Sequence, residues 1–281
     1  MDRVLAAVNK KKQMKSKVVI ITGGSSGIGK ACAEIFGKAG AKIVISGRNK
    51  ESLLQAKVDL QAKGIEVLEV VADASIELDN EKLIKETLQQ FGRIDVLINN
   101  AGISMRALFN DADVSVIKKV MDINFYGMVY ATKQALPYII QSKGSIVGMS
   151  SIAGYRGLPG RTGYSASKFA MQGFLESLRT ELLKKEVHVL TACPGFTTSN
   201  IRTNSLSKDG AVHGETSMNE EKMMSAEEVA EAILKAVQKR KRDLVLTRQG
   251  KLTVFMNKWL PGLMDKIVYN HMAKEKDSPL R

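Results

Sequence analysis

The chain has 281 residues, 44% hydrophobic and 25% charged, with 5 Pro, 23 Gly and 2 Cys. That composition excludes a disordered, collagen-like or coiled-coil chain, and the two cysteines, Cys32 and Cys193, cannot build a disulfide framework or a four-thiolate zinc site. The excess of 42 Lys+Arg over 29 Asp+Glu, a formal net charge of +13, favours an anionic partner: nucleic acid, anionic lipid or a phosphorylated small molecule.

Residues 1–16 form a basic N-terminal extension containing Lys10, Lys11 and Lys12, with an apolar start too short for a secretory signal. Residues 17–22 read as a buried strand, followed by a glycine-rich turn and a helix over about 28–38 that Gly40 stops. A second strand is expected over 41–46. Asn49 then caps a helix running to Lys63, which Gly64 ends. A strand over 65–71, a helix over about 76–91 and a strand over 94–98 complete the first half.

The second half repeats this rhythm. The pattern predicts one helical stretch over 114–141, a strand over 144–149, a helix over 163–185 and a strand over 187–193. After a polar, loop-rich segment over 197–224 come a helix over 226–239 and a last strand over 244–246. Apolar strands alternating with helices predict an α/β fold with one doubly wound parallel sheet covered on both faces, a Rossmann-type domain over 17–250. Residues 251–281 continue it as an amphipathic helical tail. There Leu252, Phe255, Met256, Trp259, Leu260, Leu263, Met264, Ile267, Val268 and Met272 recur at helical spacing, with Lys258 and Lys266 between them. Such a tail suits an anionic membrane surface, a cap over an apolar pocket or a second subunit. No run of 18 apolar residues occurs, so the expected location is cytoplasmic, with peripheral membrane contact left open.

Thr22-Gly23-Gly24-Ser25-Ser26-Gly27-Ile28-Gly29 lies where the first strand meets the first helix. Glycines there permit a tight turn and close approach of a pyrophosphate, while the helix start offers free N–H groups and a partial positive charge. The spacing is G-x-x-x-G-x-G rather than G-x-G-x-x-G, yet its place between strand and helix points to a dinucleotide site. The second strand ends in Ser46-Gly47-Arg48-Asn49, with no carboxylate for a ribose 2′-hydroxyl, whereas the planar fork of Arg48 suits a 2′-phosphate. NADP(H) is therefore the expected cofactor, and no metal is expected.

Tyr164 and Lys168 stand four residues apart on one face of a helix. An ammonium beside a phenol stabilises the phenolate, which would make Tyr164 a usable acid or base near neutral pH. Ser150 and Ser151 end the preceding strand, at the sheet edge where ligands bind.

Taken together, these motifs resemble the short-chain dehydrogenase/reductase family over about residues 17–246. The resemblance rests on the 22–29 turn, Asp73, Asn99-Asn100-Ala101-Gly102, Asn124, Ser151, Tyr164 with Lys168, and Pro194-Gly195, in order. It implies catalytic roles for Asn124, Ser151, Tyr164 and Lys168. Tyr164 would act as the proton donor in reduction, Lys168 as the group that lowers its pKa and holds the ribose, and Asn124 as support for a relay water. It implies cofactor contacts at Gly23, Ser25, Ser26, Gly27, Ile28, Gly29, Arg48, Asp73, Asn100, Ala101, Gly102, Pro194, Gly195 and Thr197, besides Tyr164 and Lys168. Two departures stand out: Ser26 occupies a place that is basic in many NADP-using relatives, and 196–199 reads Phe-Thr-Thr-Ser.

The tail and the 22–30 turn resemble the branch of hydroxysteroid dehydrogenases, DHRS proteins and 3-ketosphinganine reductases, which implies an NADPH-dependent reductase of an apolar ketone and a homodimer or homotetramer. A 3-oxoacyl thioester reductase and a non-catalytic NADPH-binding scaffold are the alternatives. No specific nucleic-acid motif accompanies the basic runs at 10–12 and 239–242. Met218, Met223 and Met224, with Met171, serve either an irregular ligand or the core.

Overall fold

The computed structural model describes residues 14–198, 201–212, 214, 223–275 and 278–280. The lysine run at 10–12, Ser199 and Met218 lie outside the described residues.

Strand β1 (Val18–Thr22) consists almost wholly of β-branched residues and is buried along its whole length. Its side chains divide by the two-residue period of a strand. Val19 and Ile21 join one core cluster, and Val18 and Ile20 join another on the opposite face. Both faces are therefore covered, as expected for parallel strands.

The remaining strands are β2 (Lys42–Gly47), β3 (Val67–Val71), β4 (Val96–Asn99), β5 (Ser145–Met149), β6 (His188–Cys193) and β7 (Asp243–Val245). They form one parallel seven-stranded sheet in the order β3-β2-β1-β4-β5-β6-β7. Connections leave β1 toward β2 on one side, while β4 takes the other side. The carboxyl ends of β1 and β4 thus flank the topological switch point, where a doubly wound sheet opens a crevice.

The covering helices are α1 (Gly27–Lys38), α2 (Lys50–Gln61), α3 (Glu77–Phe91), α4 (Val114–Met121), α5 (Gly127–Gln141), α6 (Thr162–Glu181) and α7 (Ala226–Gln238). Asn49 caps α2 as expected, accepting from the Ser52 N–H at 2.7 Å. Ser225 and Glu228 form a capping box at the start of α7.

The single helix expected over 114–141 is instead two, separated by a π-helical turn, Asp122–Tyr126. Side-chain periodicity does not register one inserted residue, so the pattern could not show it. The helix expected to reach Lys185 ends at Glu181 and gives way to a 3-10 turn, Leu183–Lys185.

The tail forms two helices, α8 (Arg248–Trp259) and α9 (Pro261–Ala273). Their apolar residues face two ways. Met264, Val268 and Met272 are buried, in a cluster with Leu158, Met256 and Leu280. Leu252, Phe255, Trp259, Leu260, Leu263 and Ile267 remain exposed. Among the described residues no helix is long and apolar enough to cross a membrane.

The basic run at 239–242 is tied into the fold. Arg240 donates to the carbonyls of Lys143 and Glu186, His188 meets the Lys241 carbonyl, and Arg242 pairs with Glu176 and Asp243. Met171 and Met224 likewise belong to the packing of the two sheet faces.

At the amino edge of the sheet, Asp95 gathers donors from three places. Lys17 Nζ reaches it at 2.8 Å, Arg93 Nη2 at 2.7 Å and the Val18 N–H at 3.0 Å. Burial alone would raise the Asp95 carboxyl, but these partners outweigh it and hold the group below the usual carboxylate value. A depressed folded pKa stabilises the protein above the unfolded value and loses that contribution as the pH falls through the folded one. Asp95→Ala is expected to cost roughly 2 kcal/mol at neutral pH. Urea titrations should show the gap from wild type narrowing below pH 4, and a gap independent of pH would refute the assignment.

Candidate active site

The turn after β1 is shaped by close backbone contact. Gly23 has φ +65°, and a Cβ there would sit 2.9 Å from Ala101 Cα; one on Gly29 would sit 2.2 Å from the Gly23 carbonyl. The Thr22 hydroxyl accepts from the N–H groups of Asn100 and Ala101, both at 3.0 Å. The Asn100 amide donates back to the carbonyls of Thr22 and Gly23, both at 3.0 Å. Asn100, expected to line a cofactor path, has its side-chain nitrogen spent on holding the turn.

Ser26 stands at the N-cap of α1 in extended conformation, makes no side-chain capping bond, and is followed by no acidic residue in the first turn. The amino end of α1 is therefore left with its partial positive charge uncompensated.

This turn opens into a groove of about 820 Å³. Gly23, Ser25, Ser26, Gly27, Ile28, Arg48, Asp73, Asn100, Ala101 and Gly102 all line it. Asp73 accepts from the N–H and hydroxyl of Ser75, at 2.9 and 2.7 Å, and faces Arg48 Nη1 at 3.9 Å. Arg48 is more than half exposed, so this contact holds it only loosely. The groove fits a dinucleotide: glycines allow the close approach, an open helix start faces an anion, and Arg48 stands at the end of β2.

A second cavity, of about 150 Å³, adjoins the groove, and the two share Ile28, Asn100, Gly102 and Ile201. Ser151, Tyr164 and Lys168 line this chamber, as do Pro194, Gly195 and Thr197. The last three therefore stand at the chamber end rather than along the 820 Å³ groove. Thr197 is anchored by a bond to the Gly195 carbonyl at 3.1 Å and a bridge to Met224.

Ser151 begins a 3-10 turn, Ile152–Gly154, and accepts from the Ala153 N–H at 3.2 Å. It stands near enough to the Tyr164 phenol to favour the ionised form. Ser150 turns the other way, donating to the Lys168 carbonyl at 3.3 Å and accepting from Gln172 at 3.1 Å. Lys168 Nζ lies 5.6 Å from the Tyr164 ring centroid and donates to the Met149 carbonyl at 2.7 Å. Asn124, inside the π turn, accepts from the Ile103 N–H at 2.8 Å. It donates to the Ile103 carbonyl and the Ser167 hydroxyl, both at 2.9 Å. Its side chain is therefore committed to protein groups.

Burial pushes the Tyr164 phenol up, with Ser151, Arg161 and Arg202 acting in the opposite sense. Lys168 is buried too, and desolvation pulls its ammonium down to about 8. Cys193, beside them, is pushed up to about 12 by burial and is not a nucleophile in this state.

Arg161, Arg202, Leu158, Phe196 and Ile201 line the chamber without having been anticipated. Arg161 is three residues before Tyr164, at the start of α6, and carries no spacing signature. Arg202 comes from a segment expected to be a polar loop. That segment is instead fastened by Leu206, which is buried and bridges Met105 and Val212.

The lowered Lys168 has a stability consequence. Between about 8 and its unfolded value of about 10.4 the unfolded chain binds more protons, so stability rises with pH across that window. Lys168→Met removes the cost of burying the ammonium and loses its hydrogen bonds to the Met149 carbonyl and, more weakly, Met171 Sδ. It should raise the unfolding free energy at pH 7 by roughly 1–2 kcal/mol. Chemical denaturation at pH 7 and 10 checks this: the gain should shrink at the higher pH, and a destabilised variant at pH 7 would contradict the assignment.

The family model described as short chain dehydrogenase matches residues 17–210. Dehydrogenase/reductase SDR family member 7B of Mus musculus is 38% identical over 282 residues, covering 98% of this chain and 87% of that protein. Dehydrogenase/reductase SDR family protein 7-like of Drosophila melanogaster is 34% identical, covering 93% and 82%. A short chain dehydrogenase/reductase from Burkholderia phymatum, crystallised in complex with NAD, superposes with a TM-score of 0.80 at 23% identity, covering 89% of this chain and 96% of that one.

Proposed function

The chain belongs to the short-chain dehydrogenase/reductase family, and on that footing we propose that it is an NADPH-dependent oxidoreductase reducing a largely apolar ketone to a secondary alcohol. The observation that carries this reading is that Ser151, Tyr164 and Lys168 line one chamber, which opens onto the dinucleotide-shaped groove.

The groove residues Gly23, Ser25, Ser26, Gly27 and Ile28 would hold the pyrophosphate on backbone N–H groups, and Arg48 a 2′-phosphate. Bound nicotinamide supplies the hydride. The chain's own residues do the rest. Ser151 donates to the substrate carbonyl oxygen and fixes its distance from the phenol. Tyr164 delivers its proton to that oxygen, for which a high pKa suits an acid that must stay protonated until hydride arrives. Lys168, tied to the Met149 carbonyl, is placed to hold ribose hydroxyls and to restore the proton. Asn124 acts by fixing Ile103 and Ser167 around it, so a relay water would not use its side-chain amide. Ile28, Met149, Leu158, Phe196 and Ile201 give the chamber its apolar walls and keep out bulk water.

Tyr164→Phe should reduce kcat for a ketone by at least about 10²-fold, with the dissociation constant for NADPH within about twofold of wild type. Cofactor fluorescence titration beside stopped-time turnover measures both. Retained turnover would remove Tyr164 from its role, and a wild type that binds NADPH but reduces no ketone would favour the scaffold reading.

Cofactor choice is read from Arg48. Wild type should prefer NADPH over NADH in KM by about tenfold or more, and Arg48→Ala should erase most of that preference. Equal KM values for the two cofactors in wild type would overturn it.

A further inference from the structure

The charged residues lining the chamber, among the described residues, are Arg161, Lys168 and Arg202, and no carboxylate lines it. Two guanidiniums thus face a chamber whose walls are otherwise formed largely by Ile28, Met149, Leu158, Phe196 and Ile201. Both guanidiniums lie near enough to the Tyr164 phenol to act on it through space.

Both are also held in place. Glu275, just past α9, grips Arg161 Nη2 at 2.9 Å, while Met272 Sδ meets Nη1 at 3.7 Å. Arg202 Nη2 donates to the Thr197 carbonyl at 3.0 Å. Arg161 is mostly buried, with 13% of its side chain exposed, and Glu275 is more buried still. A fixed guanidinium fork in a partly dry wall matches the geometry of carboxylate and phosphate oxygens, with little ordering left to be done on binding.

We propose that Arg161 and Arg202 are specificity-determining residues that recognise an anionic group, a carboxylate or a phosphate, carried by the ketone substrate away from its carbonyl. This rests on the oxidoreductase reading above and narrows its substrate class from an apolar ketone to an amphiphilic one. Lys168 is set apart from this pair because the Met149 carbonyl already engages it beside the reacting phenol.

The test uses the full-length protein with NADPH and a set of ketones differing only at the end far from the carbonyl: a carboxylate, its methyl ester and a phosphate monoester. At least one anionic member should exceed the ester in kcat/KM by about tenfold or more, the difference lying in KM. The gap should narrow as salt is added. The relative rates of carboxylate and phosphate identify which anion fits. Arg202→Gln should abolish most of the preference through KM, and Arg202→Lys should restore part of it. An ester reduced as efficiently as both anions overturns the proposal while leaving the oxidoreductase reading intact. If no ketone is reduced, that reading fails instead, and binding alone still decides the anion site. Decanoate or decyl phosphate should raise the wild-type melting temperature more than decanol does, and Arg202→Gln should lose that increment. Equal shifts for the anions and the alcohol would overturn the site whatever the turnover.

Discussion

The crevice exists because the ends of β1 and β4 are stitched together by one hydroxyl and one amide. Thr22 accepts two backbone N–H groups from the β4 side, and Asn100 returns two bonds to the backbone of the turn. All four bonds join main chain to side chain across the switch point of the sheet. They hold Gly23 so close to Ala101 that no larger residue fits. Once that contact is fixed, the first turn of α1 must point its unpaired N–H groups into the groove. The chamber walls at Gly102 and Ile28 follow from the same contact, since both residues lie within three positions of the stitched segments or on the helix it aims.

At the far end of the crevice the dominant physical fact is burial of groups that prefer water. The phenol of Tyr164 is driven toward its neutral form, as is the amine of Lys168. Both shifts have the same cause: burial keeps the proton on the phenol and loosens it on the amine. Ser151 moderates the first shift, and the Met149 carbonyl gives the amine a partner in either protonation state. Such a site costs stability.

The sheet and its crevice were legible in the sequence because strand burial and glycine punctuation are local signals. The run Val18–Thr22, the cap at Asn49 and the glycines of the 23–29 turn each state their structure within a few residues. The π turn at Asp122–Tyr126 was not legible, since an inserted residue leaves both flanking helices with ordinary periodicity. The direction of the Tyr164 shift was not legible either. A four-residue spacing gives proximity, whereas desolvation depends on everything packed around the pair, including the ends of β5 and β6. Arg161 and Arg202 were missed for a similar reason: a lone arginine in a loop or at a helix start looks like solvated charge until its surroundings are known.

The tail helices show how the end of the chain enters the site without supplying a reacting group. Met264, Val268 and Met272 pack on Leu158, a chamber wall, and Asn257 donates to the Tyr155 carbonyl at 2.8 Å. Arg156 bridges to Asp265, and Gly195 approaches Thr247, the cap of α8, too closely to admit a side chain. Each of these contacts bears on the backbone between Ser151 and Tyr164, or on the loop after β6. A change in α8 or α9 would therefore move the chamber walls while leaving the cradle at β1 and β4 untouched. The tail thus bears on the chamber and the β1–β4 seam on the groove, and Ile28, Asn100, Gly102 and Ile201 line both cavities.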